Sequence, residues 1–492
     1  MKYPRLLYFF LLGMGMNLSI LPGARGAVVA FTNIYAFSAT SNGTNSDGYS
    51  PQAGLLLAGD TLFGVTWGGG AAGKGTIFRV NTNGGSFTNL HSFAAMATNA
   101  IGVFTNKDGA NPVAELVMSG NTLYGAAQNG GTSGRGTVFR INTDGSSFTN
   151  LHNFSEILPS FYTNLDGAIP HGALVVSGGG GGGGGGSGLG VLYGTTQGGG
   201  RNARGTVFRI NTDGSGFTNL GNFSGFQDGQ SPWGGMVLAG DTLYGTASTG
   251  GNYVSGAIFK VSTNGFGLTN VYTFTATGDS IYTNADGAQP FCTLLLASGT
   301  LYGTASIGGN SEKGTVFSVS TNGSGFKTLH SFSGYDGANP YAGLILIGGT
   351  LYGTVYSGGS ASYGTVFSIG TNGNDFAVLH NIAALEGAFP SAGVVASGTS
   401  LYGAGSGGGA HGSGALYRLF IPPSLSIARA GTNVVLTWST NYASFALQSA
   451  TNISAGSTST WSSVSPSPTV VNGLETVTNA SSGARRIYRL MQ

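Results

Sequence analysis

The chain has 492 residues, 91 of them Gly, with 7% charged residues, 40% hydrophobic residues and a formal net charge of +2. An ordinary globular chain carries ~7% Gly and ~25% charged residues. This composition excludes a coiled coil, a helical repeat and a polyelectrolyte. The missing Gly-X-Y period excludes collagen, and the apolar content is too high for wholesale disorder. A glycine-rich all-β protein remains.

Residues 1–26 read as a secretory signal: Lys2 and Arg5 precede a mostly apolar run from Leu6 to Leu21, and Ala24-Arg25-Gly26-Ala27 offers small residues for cleavage. An uncleaved anchor is the alternative, though Gly13, Gly15 and Asn17 interrupt the run. Cleavage after Gly26 removes Lys2, Arg5 and Arg25 and leaves 16 basic against 17 acidic residues. A net charge of −1 gives no basic surface for nucleic acid. No later segment has the length and hydropathy to span a bilayer.

From residue 28 to 420 the chain repeats. Leu-Tyr-Gly or Leu-Phe-Gly starts at residues 62, 123, 192, 243, 301, 351 and 401, at steps of 61, 69, 51, 58, 50 and 50. Gly-Thr-Val-Phe or a variant follows each copy, from residues 75, 136, 205, 256, 314, 364 and 414. Acid-Gly-x-x-Pro or a near form precedes each, with acids Asp47, Asp108, Asp166, Asp228, Asp286, Asp336 and Glu386. A Phe-Thr-Asn-Leu-His-x-Phe type of segment closes the unit, clearly at Phe87, Phe148 and Phe217 and more loosely at Leu268, Phe326 and Phe376.

Each unit predicts four antiparallel strands: an apolar run such as Leu55-Leu56-Leu57, expected to be buried on both faces, then Thr-Leu-Tyr-Gly-Thr, Gly-Thr-Val-Phe-Arg-Ile and Phe-Thr-Asn-Leu-His-Ser-Phe. Thr82-Asn83-Gly84 and Thr143-Asp144-Gly145 are hairpin turns of the kind that needs positive φ. Four such strands per ~50 residues make a propeller blade. The seventh Gly-Ala-Leu-Tyr segment, at Gly414, has no fourth strand after it, whereas Phe31-Thr32-Asn33-Ile34-Tyr35-Ala36-Phe37 stands alone at the start. That segment is expected to complete the last blade and close the ring, which removes two open edges. The fold class predicted is therefore all-β: a seven-bladed β-propeller over 28–420, then a small β-sandwich over 421–492. The nine glycines Gly178–Gly186 should form a disordered hairpin tip. In the tail, Trp438 and Trp461 are the main core candidates of an immunoglobulin- or fibronectin-type sandwich.

The four markers resemble the Gloeo/Verruco tandem repeat (GloVer) family, through the Leu-Tyr-Gly-Thr, Gly-Gly, Gly-Thr-Val-Phe and Asp-Gly-x-x-Pro elements, over about 390 residues. The resemblance implies an exported bacterial protein, secreted or on the cell surface, often ending in a variable sorting or adhesion module; here that module looks immunoglobulin/fibronectin-like. It implies no established activity and carries over no catalytic residue.

For chemistry, the fourth-to-first and second-to-third connections should share one face. The acids Asp47, Asp108, Asp166, Asp228, Asp286, Asp336 and Glu386 would ring that face, with Lys74, Arg135, Arg204 and Lys313 nearby. One reading is a ligand face for carbohydrate or Ca²⁺, since carboxylates and loop carbonyls suit that ion. The other is turn chemistry, with Asp capping backbone N–H groups and pairing with Arg or Lys. His91, His152, His330 and His380 recur once per unit and should lie too far apart for one metal. Cys292 sits in an apolar run and reads as a buried thiol. The Tyr of Leu-Tyr-Gly should pack between blades. Trp67 and Trp233 lie near the proposed face as sugar-stacking or packing residues. The reading is a monomeric binding scaffold for polysaccharide or a surface protein, without a required cofactor. A polysaccharide-degrading enzyme with carboxylates on one face, and a structural envelope protein, are the alternatives.

Overall fold

A computed structural model of the protein describes residues 9–10, 30–157, 163–178, 189–226, 228–278, 283–421, 425–431, 433–439, 445–450, 461–471, 474–480 and 486–491. The expected signal, apart from 9–10, and the glycine run beyond Gly178 lie outside them.

The strands follow the repeat. Sheet 1 is built from Leu56–Ala58, Thr61–Thr66, Thr76–Asn81 and Thr88–Ser92, in that spatial order and antiparallel throughout. Five more sheets of the same order have second strands at Thr122–Asn129, Val191–Gly198, Thr242–Thr249, Thr300–Ala305 and Thr350–Val355. The seventh takes Val395–Ser397, Ser400–Gly405 and Ala415–Phe420 from the end of the repeat region and Phe31–Ala36 from its start. Phe31 pairs with Leu419 and Ala36 with Ala415. The fold is thus all-β and propeller-like.

The register explains the Leu-Tyr-Gly motif. Gly64 lies opposite Phe78, and Gly125 opposite Phe139. A Cβ on Gly64 would come within 2.5 Å of the Phe78 ring, and one on Gly125 within 2.6 Å of Phe139. Gly therefore makes room for the Phe of Gly-Thr-Val-Phe, which is fully buried. Leu62 and Leu123 beside these glycines are equally buried, a burial worth about 1.5–3 kcal/mol each.

The cores lie between sheets. Phe63 and Ile77 of sheet 1 pack with Leu123 and Phe139 of sheet 2, and Tyr124 and Val138 of sheet 2 with Leu192 and Phe208 of sheet 3. The pattern continues through Tyr193, Tyr244, Tyr302 and Tyr352, each meeting the next sheet. It returns to its start where Phe37, Tyr402 and Leu416 of the seventh sheet pack with Leu62 and Phe78 of sheet 1.

The innermost strand departs from the expectation of burial on both faces. Leu55 and Leu344 are buried, but Leu56, Leu57 and Ile345 are half-buried and Leu346 is exposed. This strand is the edge of its sheet and pairs only with the second strand.

The tail forms two sheets. One contains Ser426–Ala430, Asn433–Ser439, Leu474–Ala480 and Thr469–Val471; the other contains Ala446–Ala450, Ile487–Met491, Ser462–Ser463 and the short Phe9–Phe10. Leu436, Trp438, Leu447 and Val477 form their common core. Trp461 is half-buried.

Candidate functional site

The seven sequence-predicted acids lie on the fourth-to-first connections, beside the second-to-third loops. The link is an Asn two positions before the acid: the side-chain oxygens of Asn45, Asn106, Asn164 and Asn284 accept from the amides of Gly70, Gly131, Gly200 and Gly309. The two kinds of loop do share a face.

Each acid is engaged within its own connection and the strand before it. Asp108 accepts from His91 Nε2 at 3.0 Å and from the Ala94 amide. Asp166 binds His152 at 2.9 Å and the amide and hydroxyl of Ser155. Asp336 binds His330 at 2.8 Å and Ser333, and Glu386 binds His380 at 2.8 Å and the Ala383 amide. Asp47 and Asp286 take Tyr35 and Tyr272 hydroxyls instead, with Ser38 and Thr275. Asp228 accepts from Ser224 and the Gly225 amide. Burial opposes ionisation of Asp166 and Asp336. The hydrogen bonds of His152 and Ser155, and of Ser333 and His330, outweigh it and hold both carboxyls below the usual range.

The ring that completes each latch is the Phe opening the next fourth strand. His91 stacks on Phe148 at 3.9 Å, His152 on Phe217 at 3.8 Å, His330 on Phe376 at 3.6 Å, Tyr35 on Phe87 at 4.1 Å and Tyr272 on Phe326 at 4.0 Å. His380 stacks on Phe31 at 4.1 Å, across the junction between the two ends of the repeat region. At the remaining interface both rings are missing together: Gly221 faces Leu268.

The expected Asp pairing with Arg or Lys does not occur: the ion pairs among the described residues are the four His–acid contacts. The carboxylates are instead engaged by strand-four His or Tyr and by Ser, Thr and backbone donors of their own connections. Arg204 bonds Gln230 and lies 5.9 Å over Phe226. Among the described residues no three His, Cys, Asp or Glu side chains lie together as a metal site. Cys292 is buried, and burial pushes its thiol up to about 11.

A different set of residues does converge. A cavity of about 630 Å³ is lined by all seven units. Its wall is the residue after each motif Pro: Gln52, Val113, His171, Trp233, Phe291, Tyr341 and Ser391. Units three to six supply an aromatic arc: His171 lies 3.8 Å from Trp233, Trp233 5.2 Å from Phe291, Phe291 5.4 Å from Tyr341, and Tyr341 5.2 Å from Tyr356. Burial lowers His171 to about 4, so the ring is neutral at pH 7.

Three residues after the Pro, the units carry Gly54, Ala173, Gly235, Thr293, Gly343 and Gly393, but Glu115 in unit two. All line the cavity. Glu115 is enclosed by protein yet open to the cavity, and burial raises its carboxyl to about 7. The carboxyl rests on Gly54, where a Cβ would come within 2.5 Å of Oε2. Trp233 was singled out by its type, but the others were not. Aligning the seven Asp-Gly-x-x-Pro segments reveals them, because they are the positions that vary.

No curated protein matches the chain. Among solved structures, it is similar to an oligogalacturonate lyase in complex with manganese (11% identity, 80% of this chain and 97% of that one, TM-score 0.46). It is also similar to a chain of a nidogen/laminin complex (13%, 64% and 90%, 0.37) and to TolB from Acinetobacter baumannii (10%, 79% and 76%, 0.32). At TM-scores below 0.5, none of these bears on what the chain does. The family model for the Gloeobacter/Verrucomicrobia repeat matches residues 15–186 and 277–460, two stretches that span well over half of the sequence. The chain belongs to the Gloeobacter/Verrucomicrobia repeat family.

Proposed function

We propose that the protein is an exported binding scaffold: a closed seven-bladed β-propeller over 28–420, carrying an immunoglobulin- or fibronectin-like sandwich over 421–492, that takes a small ligand in its central cavity. The observation that carries this reading is the contrast between repetition and variation. Strands, latches and turns recur from unit to unit, whereas the side chains after the Pro differ in every unit and converge on one space. A cavity of about 630 Å³ with an apolar arc and one carboxyl has the size and lining of a small-molecule site. Among the described residues no helix is long and apolar enough to cross a membrane.

The acidic face is the weaker candidate, since each of its carboxylates already accepts from Ser, Thr, His, Tyr or backbone donors. Glycoside hydrolysis asks for a pair of carboxylates about 5–9.5 Å apart; the cavity lining holds one, Glu115. The test is a thermal-shift screen of the exported protein against small molecules, soluble glycans and Ca²⁺, run beside Trp233→Ala and Asp228→Asn. Stabilisation lost in Trp233→Ala and kept in Asp228→Asn supports the cavity. The opposite pattern moves the site to the acidic face.

A further inference from the structure

We infer that the cavity selects a small organic cation, its ammonium held by Glu115 and its apolar body laid against Trp233, Phe291 and Tyr341. This rests on the cavity reading above and adds the charge of the ligand.

Three observations carry it. The first is what the lining lacks. Among the described residues no Lys or Arg contributes to it, and Glu115 is the one acidic side chain. An anion would meet the Glu115 carboxylate with no basic side chain on the wall to offset it. A cation meets that carboxylate and an aromatic wall, whose electron-rich ring faces attract ammonium groups.

The second is hydrogen-bond accounting. Each small polar side chain of the wall already makes a hydrogen bond within the protein. Ser391 Oγ donates to Gln52 O, Gln52 Nε2 to Ser50 Oγ, Ser406 Oγ to Phe389 O, and Thr293 Oγ1 accepts from the Gly235 amide. A sugar, which needs several donors and acceptors around each ring, would have to share these groups with the bonds they already make. Glu115 accepts no hydrogen bond from any described residue, although it is enclosed. An enclosed carboxylate without a partner is costly, and a bound cation removes that cost.

The third is placement. The Glu115 carboxyl leans onto Gly54 of unit one. In the order in which the seven sheets contact one another, the units farthest from unit one are four and five, which hold Trp233 and Phe291. Charge and aromatic wall therefore face each other across the cavity. The other titratable groups on the wall are His171, Tyr341 and Tyr356. Burial keeps His171 neutral at pH 7 and raises Tyr341, so neither supplies a competing charge.

The test is titration calorimetry of the whole exported protein at pH 8 with benzyltrimethylammonium, choline, the neutral choline isostere 3,3-dimethyl-1-butanol, and cellobiose. The cations are expected to bind at least tenfold more tightly than the isostere. Glu115→Gln is expected to remove that margin without weakening the isostere, and Gly54→Ala, which crowds the same carboxyl, to reduce it. Trp233→Ala is expected to weaken cation and isostere alike. Equal affinity of choline and its isostere, or a margin that survives Glu115→Gln, overturns the cation inference and leaves the cavity standing. No saturable cation binding up to roughly 10 mM overturns it as well. Ligands from the screen that bind without regard to Trp233→Ala overturn the cavity reading itself.

Discussion

Replacing Glu115 by Gln should stabilise the protein in mild alkali and leave it unchanged in acid. The ordinary Glu value is 4.5, and burial raises it to about 7 in the folded protein. Between those two pH values the unfolded chain has lost the proton that the folded protein keeps, so stability falls as pH rises through this window and levels off above about 7. At about 1.4 kcal/mol per pH unit, the rise from 4.5 to about 7 costs at most about 3.5 kcal/mol at pH 8. Water in the cavity reduces this, which leaves about 2–3 kcal/mol. Unfolding entropy near 2.1 cal/mol/K per residue, over roughly 390 residues, makes 1 kcal/mol about 1 °C. Calorimetric melting should therefore show Glu115→Gln about 2–4 °C above the parent at pH 8 and within 1 °C of it at pH 4.5. A difference that is the same at both pH values refutes the reasoning, because a mere packing effect has no such pH dependence.

Five further outcomes follow from the same geometry. Phe37 is fully buried where the chain start closes on sheet 1, so Phe37→Ala should cost about 3–5 kcal/mol in denaturant titration. Removing residues 30–37 should lower Tm by many degrees, and an unchanged Tm would contradict closure by that strand. Installing the absent latch with Gly221→His and Leu268→Phe together should stabilise by more than the two single changes combined, by about 0.5–1.5 kcal/mol for the stacked pair; strict additivity would show that the rings do not meet. Asp166 is held below its ordinary 3.8, so the stability it contributes is present above that pH and drains away as pH falls through its lower folded value; Asp166→Asn should flatten this acid limb of the stability profile. Cys292, fully buried with its thiol raised to about 11, should resist a thiol reagent at pH 8 until the protein is unfolded.

The strands were legible because each is marked by residues that physics makes necessary. Gly64 must be Gly to admit Phe78, and Asn83-Gly84 must turn. The closing strand was legible from phase alone, since Phe31–Phe37 repeats a segment that the seventh unit lacks. The acids were harder. Their recurrence marked them as equivalent, but the partners that decide their role, such as His91 for Asp108, sit in the strand before and stack on a Phe of the strand after. Only the folded geometry joins those three. The cavity was hidden for the opposite reason. A search for repeated motifs passes over the positions after Pro and over Glu115, because what distinguishes them is that they break the repeat.

The central claim is that the variable side chains build a ligand site in the middle of the ring. The most direct measurement is a crystal of the exported protein soaked with 4-bromobenzyltrimethylammonium and phased on bromine. The account predicts an anomalous peak against Trp233 and Phe291, with the ammonium turned toward Glu115. A peak on the face carrying Asp47, Asp166 and Asp336, with the cavity filled only by water, would contradict it.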